Sequence, residues 1–493
     1  MEKETVMIKY VVDNIRNEEG KIEFLRPVYH FTPQKGWMND PNGLIFYKGY
    51  YHLFYQYNPK DCEWGSMHWG HAISKDMLHW KDLPIALYPD KPYDNHPEGG
   101  CFSGSAVEKD GILYLFYSGT IKKDGKVYQT QCMAYSKDGI HFEKYEYNPI
   151  IKEPPAGASD DFRDPKVFLA GGKWYMVIGG SVGGADTGGD GRIFLYTSED
   201  LFHWEYAGNV LESNGQYGTM FECPDMFELN GKWVLICSPM YHPENNKIMY
   251  CVGDMDFESC SFHVEHMGTL DAGFDYYAVQ SFLDEKGNRV LIGWQNGWLW
   301  MPWCEGFGPT AAEGWRGTLS LPRIITLDEE NQIRLRTTEN LESIKTLDWQ
   351  EENVKVSTTK YLLHPKDPFS YEIRMTGVAE EVESKYLEIG FLSSDSHRTI
   401  LTIDFIAGIL TIDRSNSDEY GSGRMSCLIE KNSGEFDLQI LVDHSSVEVI
   451  LCEKYCMTTN IYPTKNETEC YIRTPYKQAL LRKLTVSTIE SVW

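Results

Sequence analysis

The chain has 493 residues, 42% of them hydrophobic, which is enough apolar material for a sizeable core and excludes a disordered protein. Its formal charge of −26, from 46 Lys+Arg against 72 Asp+Glu, excludes nucleic acid and anionic membrane surfaces as partners. No uncharged stretch reaches the ~18–20 residues of a membrane helix, and the 12 cysteines form no CxxC pair or regular framework, so reduced thiols and a cytoplasmic protein are expected.

The first 27 residues, MEKETVMIKYVVDNIRNEEGKIEFLRP, read as an N-terminal extension, charged throughout and without the apolar run and cleavage site of a secretory signal. Five segments then read as pairs of apolar strands joined by a tight polar turn. They are GLIFYKGYYHLFYQYNP from Gly43, SAVEKDGILYLFYSGT from Ser105, KVFLAGGKWYMVIGGS from Lys166, DMFELNGKWVLICSP from Asp225 and VQSFLDEKGNRVLIGWQNG from Val279. Gly or Asn in each turn supplies the positive φ that a two-residue hairpin requires. A second marker recurs in SKDMLHW at Ser74, SKDGIHF at Ser136 and SEDLFHW at Ser198, more weakly in GDMDF at Gly253.

A four-stranded unit repeated every ~40–60 residues marks a β-propeller blade. The fold class is therefore all-β, a five-bladed propeller over residues 1–337. Tandem sandwiches need ~100 residues each, too long for this repeat. TTENLESIK opens a short helix or loop that links the halves (338–347). From 348 to 493, FSYEIRMTG, YLEIGFLSS, RTILTIDFIAGILTIDRS, FDLQILVDHSSVEVIL and ALLRKLTVSTI alternate apolar and polar residues, which predicts a C-terminal β-sandwich.

The first strand of a blade lines the axis, so residues at the strand starts converge on one pocket. Asp40 in WMNDPNG, Asp164 in FRDPKV and Glu222 in FECPDMF precede the first, third and fourth hairpins, at what read as equivalent positions. Three carboxylates in one pocket cannot all stay ionised at ease, so at least one pKa should rise. Such an arrangement suits glycoside hydrolysis, by retention if two carboxyls stand about 5–5.5 Å apart and by inversion if about 6.5–9.5 Å apart. The residues alone do not say which carboxylate does which job.

WMNDPNG, WGSMHWGHAISKDMLHW, FSGSAV, FRDPKV, ECPDMF and WRGTLSLPR, in this order, resemble glycoside hydrolase family 32, as does LVDHSSVEVI in the C-terminal part. The resemblance implies a propeller with an appended sandwich and a retaining β-fructofuranosidase acting on sucrose and short fructo-oligosaccharides. It implies Asp40 as nucleophile, Glu222 as acid/base and Asp164 as transition-state stabiliser. It lines the fructose subsite with Trp37, Asn39, Gln56, Trp64, Phe102, Ser103 and Arg163, with Asp275, Tyr276 and Trp315 nearby. A sucrose-6-phosphate hydrolase would share these residues and add a basic group, for which Arg192 and Lys247 are candidates. A non-catalytic sugar-binding propeller would have lost a catalytic carboxylate.

No cofactor or metal is expected. His68, His71 and His79 lack a metal-ligand spacing, and the Gly-rich Gly179–Arg192 stretch lacks a phosphate-loop Lys and reads as a rim loop. WQNGWLWMPW (Trp294–Trp303) reads equally as blade packing or as an aromatic wall for the leaving sugar. The sequence leaves the oligomeric state open, a homodimer included.

Overall fold

The computed structural model describes residues 23–243, 247–298, 309–431 and 434–493, so residues 1–22 of the N-terminal extension and 299–303 of the tryptophan-rich run lie outside it. The first four sheets each run through four consecutive strands. The first holds Gly36–Tyr47, Tyr50–Asn58, His68–Ser74 and Trp80–Leu87, and the second Gly100–Lys109, Ile112–Lys123, Lys126–Ser136 and Glu143–Lys144. Phe162–Ala170, Lys173–Val182, Asp190–Ser198 and Glu205–Glu212 form the third; Met220–Leu229, Lys232–Met240, Met249–Asp256 and Ser261–Thr269 the fourth. The fifth pairs Tyr277–Leu283, Arg289–Trp294, Arg323–Leu327 and Ile333–Thr337. These are the five blades, and each innermost strand packs against the next until the fifth meets the first.

The two sequence repeats have local causes. The hairpin turns put Lys48, Asp110 and Asn230 at positive φ, followed by glycine. The Ser-x-Asp-x-x-His marker turns the chain from the third strand to the fourth. Asp76 Oδ1 accepts the amides of Leu78 and His79 at 3.0 and 2.8 Å, and Asp138 and Asp200 repeat this in the next two blades. Such Asx-type bonds satisfy amides that leave the ladder.

The ring closes through the short strand Trp315–Arg316, which joins the first blade in parallel, pairing Gly36 with Trp315 and Trp37 with Arg316. The chain then passes through a 3₁₀ turn, Glu339–Ile344, into two six-stranded sheets. One contains Lys345–Val356, Ala479–Ile489, Ser370–Val382, Glu435–Asp443, Ser446–Leu451 and Tyr455–Asn460, and the other Tyr361–Leu363, Glu469–Arg473, Tyr386–Ser393, Arg398–Asp404, Ile409–Asn416 and Arg424–Leu428. Their inner faces share one apolar core, including Ile373, Leu387, Leu401, Ile440 and Val449. That arrangement is a β-sandwich.

A buried polar network ties sandwich to propeller. Arg323 donates to Asp271 at 2.9 Å and to Glu448 at 2.7 Å, and His30 bonds Asp443 at 2.8 Å and Glu448 at 3.1 Å. Among the described residues no helix is long and apolar enough to cross a membrane.

Candidate active site

All five innermost strands carry a one-residue β-bulge at the same height. The register slips between Met38 and Pro41, Phe102 and Gly104, Arg163 and Lys166, Glu222 and Asp225, and Tyr277 and Gln280. Counting from the paired residues on either side aligns the blades. Met38, Phe102, Arg163, Glu222 and Tyr277 are the paired residues just before the bulges. Asp164, Cys223 and Ala278 each stand one residue past the last pair before the bulge, where the first blade has Asn39 and the second Ser103, and Asp40 stands one residue further on. By register the three carboxylates stand at three different steps, Glu222 on the paired residue before its bulge, Asp164 one residue past it and Asp40 two residues past it. Glu222 matches Arg163, and Cys223 takes the carboxylate's place. The Pro that follows Asp40, Asp164 and Cys223 made the three motifs look more alike than the strands are.

Asp40, Asp164 and Glu222 retain only 8%, 5% and 8% of their surface, so all three are sheltered from bulk water. Ser103 Oγ donates to Asp40 Oδ2 at 2.5 Å and Asn39 Nδ2 to Oδ1 at 3.0 Å. The Cys223 thiol stands between the two aspartates, 3.6 Å from Asp40 Oδ2 and 3.6 Å from Asp164 Oδ2, while the Cys223 amide donates to Asp164 Oδ2 at 2.9 Å. On Glu222, Oε1 accepts from Arg163 Nε at 3.1 Å and Nη2 at 2.9 Å, and Oε2 takes a short hydrogen bond from the Tyr277 hydroxyl.

The electrostatics follow from this crowding. Burial pushes Asp40 up to about 6, the Glu222 charge adds to the rise, and the Ser103 and Asn39 bonds oppose it. Burial also pushes Asp164 up to about 7, with Arg163 pulling down and Glu222 and Asp40 pushing up. Burial first, then Asp164, Asp40 and Glu222, raises the Cys223 thiol well above its ordinary value, so it stays protonated and donates. Burial works against the Arg163 charge, but Glu222, Asp164 and Asp161 hold it protonated.

Aromatic residues wall the pocket. Trp37 is fully buried, donates to Asn39 Oδ1 at 2.8 Å and stacks on Trp298 at 6.1 Å. Trp64 meets Phe102 edge-on at 5.9 Å, both half-buried. Gln56 is buried and fixed by a 2.9 Å bond to the Cys101 carbonyl. Trp294 is fully buried against Trp298, which makes this part of the tryptophan-rich run packing.

Three expected residues are not brought to the carboxylates. Asp275 pairs with Arg414 of the sandwich at 2.7 Å and accepts the Asn460 amide at 2.9 Å. Tyr276 is fully buried under the Arg323 guanidinium, 4.6 Å from its ring. Trp315 belongs to the ring-closing strand and donates to Glu313 at 3.0 Å. Sequence reasoning missed Tyr277 and Cys223. The available signal was their neighbourhood, Tyr277 beside Tyr276 and Cys223 beside Glu222, but a bulge hides which of two adjacent residues faces the pocket.

The histidines are engaged locally. His71 bonds His52 at 3.0 Å and stacks on Phe54, His68 contacts the Ser66 carbonyl, and His79 bonds Asp76. Among the described residues no group of three or more His, Cys, Asp or Glu could hold a metal ion.

Comparison with known proteins agrees with this architecture. Residues 30–338 match the model of the glycosyl hydrolases family 32 N-terminal domain, and residues 334–488 that of the family 32 C-terminal domain. A sucrose-6-phosphate hydrolase from Zymomonas mobilis is 34% identical over 89% of this chain and 87% of its own length. A levanase from Bacillus subtilis is 32% identical over 96% of this chain and 71% of its own length. Among solved structures, a Bombyx mori β-fructofuranosidase superposes with a TM-score of 0.79 at 30% identity, covering 100% of this chain and 98% of its own, and a substituted form of it has been solved with sucrose. The family models span propeller and sandwich alike, so the chain belongs to glycosyl hydrolase family 32.

Proposed function

We propose that the chain is a retaining β-fructofuranosidase, releasing terminal non-reducing β-D-fructofuranosyl units from sucrose and short fructo-oligosaccharides. The observation that carries this reading is the thiol-bridged pair Asp40 and Asp164, with Glu222 clamped beside it by Arg163 and Tyr277. The relatives' names, and the sucrose bound in the Bombyx mori complex, support a fructoside as substrate.

Cleavage builds positive charge on the anomeric carbon of fructose. The Asp40 carboxylate attacks that carbon while Glu222 protonates the departing glucosyl oxygen, which leaves a covalent fructosyl-enzyme. Glu222 then takes a proton from water, and the water displaces Asp40. Asp164 accepts hydrogen bonds from fructose hydroxyls that tighten as the ring flattens. Ser103 and Asn39 hold Asp40 ionised, and Trp37, Trp64, Phe102 and Gln56 shape the subsite. A purely sugar-binding role would not call for three sheltered carboxylates with upshifted aspartates.

The catalytic unit spans residues 1–337, with 338–347 as linker and 348–493 as the sandwich. The eleven described cysteines are all free thiols, which supports a reducing compartment and hence the cytoplasm. A second reading, hydrolysis of sucrose 6-phosphate, is favoured by the name of the Zymomonas mobilis relative. Of its two candidate cations, Arg192 is paired with Asp190 and Glu212, and Lys247 is buried and donates to the Gly273 carbonyl at 3.2 Å.

The deciding measurement is kcat/KM for fructose release from sucrose and sucrose 6-phosphate side by side. Equal rates or a preference for sucrose supports the main reading. A preference for the phosphate ester beyond about tenfold, some 1.4 kcal/mol of transition-state binding, assigns the second. No fructose from either rejects both.

A further inference from the structure

The innermost strands continue past the bulges, where Lys166, Asp225 and Gln280 of three successive blades are buried and bonded to one another as a polar plug. Lys166 Nζ donates to Asp225 Oδ2 at 2.8 Å, to Gln280 Oε1 at 3.1 Å and to the Ser281 carbonyl at 2.7 Å. Beyond the plug a second cavity, about 1320 Å³, opens at the end of the propeller opposite the carboxylates.

Its two ends differ in chemistry. The outer wall is aromatic and aliphatic, with Phe46, Phe168, Trp233, Phe257 and Phe282, and Leu169 and Leu283 stand 56% and 49% exposed at the rim. The floor is cationic. Lys166 and Arg289 both line the cavity, and Asp225 is the carboxylate that faces them both. The Arg289 guanidinium lies 4.7 Å from the Phe227 ring centre and reaches Ser281 Oγ at 3.5 Å. Its buried Nε has no hydrogen-bond partner among the described residues. Lys166 is matched by Asp225, so the cation with unused N–H groups is Arg289, and a guanidinium with unused N–H groups fits a carboxylate or phosphate fork. Glu108, Glu205, Glu228 and Glu258 line the cavity as exposed residues, and their charge disfavours polyanions most strongly.

We propose that this cavity is a second ligand site, separate from the catalytic pocket, that takes a small organic anion, its carboxylate or phosphate head on Arg289 and its apolar body against the Phe46–Phe168–Phe282 wall. The test is calorimetric titration of the full chain, with the catalytic pocket saturated by fructose, using benzoate, phenyl phosphate and neutral benzyl alcohol as probes.

The expected result is one saturable site for the anions, with benzyl alcohol at least tenfold weaker. The relative affinity of benzoate and phenyl phosphate identifies the preferred head. Arg289→Gln should weaken anion binding at least tenfold while sucrose turnover stays at the wild-type rate, which reports an intact fold. Leu169→Glu, at an exposed position, should weaken it too without touching the core. Equal binding of benzyl alcohol, unchanged affinity in both variants, or no saturable heat from either anion overturns the proposal.

Discussion

Ser103→Ala isolates one bond on the proposed nucleophile. Asp40 must be ionised to attack, and burial has already raised it to about 6, so activity should fall as pH drops through about 6. The Ser103 hydroxyl donates to Oδ2 at 2.5 Å and stabilises the charged form. A hydrogen bond to a charged group contributes about 1.5–3 kcal/mol, and one pKa unit corresponds to about 1.4 kcal/mol. Removing the hydroxyl should therefore move the acid limb of kcat/KM upward by roughly one to two pH units. The assay is the initial rate of sucrose hydrolysis across the pH range in wild type and variant. A loss by the same factor at every pH, with the limb unmoved, refutes the reasoning, because Ser103 would then act on the sugar and not on Asp40.

Asp40→Ala and Glu222→Ala should each lower kcat by several orders of magnitude with the fold intact by circular dichroism; near wild-type turnover in either rejects its assigned role. Azide should partly rescue Glu222→Ala on an activated fructoside with retained configuration, and purely inverted product would argue against a covalent intermediate. Tyr277→Phe removes the hydroxyl donor on Glu222 Oε2 and should lower kcat by roughly ten- to a hundredfold with little change in KM; an effect on KM alone would put Tyr277 on the substrate instead. Burial works against the charge on His30, but bonds to Asp443 and Glu448 hold its pKa up to about 9, so its stabilisation is full below about 6.5 and lost as pH rises through 9. Tm should fall over that window in wild type and flatten in His30→Gln, and parallel curves for the two proteins would dismiss the link.

The blades were legible because their signals are local. A glycine or asparagine in a hairpin turn and an Asp capping the turn before a blade's fourth strand need no distant partner, and both recur at the blade period. Ring closure was not legible, since Trp315–Arg316 is a two-residue strand that exists only because the fifth blade returns to the first. Asp275 failed for a related reason: its partner Arg414 lies 139 residues away in the sandwich, and nothing beside Asp275 announces it. Tyr276 and Tyr277 were exchanged because strand alternation, period two, loses its phase across a bulge.

The same bulges explain how one blade can present two consecutive residues to the pocket. In a regular strand neighbours point to opposite faces, yet Arg163 and Asp164 both reach the carboxylate cluster, as do Asn39 and Asp40. The extra residue turns the chain at positive φ, 67° at Asp164, 47° at Cys223 and 51° at Ala278. Each such non-glycine residue costs about 1–2 kcal/mol of backbone strain. The displaced amides recover partners from the preceding blade. Asp164 N donates to Ser118 Oγ at 2.9 Å, Cys223 N to Asp164 Oδ2 at 2.9 Å, and Ala278 N to Ser238 Oγ at 3.0 Å. In two blades a serine hydroxyl serves as acceptor, and in the third the Asp164 carboxylate does. The group proposed to steady the fructose ring therefore also closes the bulge that aims Glu222, so the position of one carboxylate is built into the position of the other.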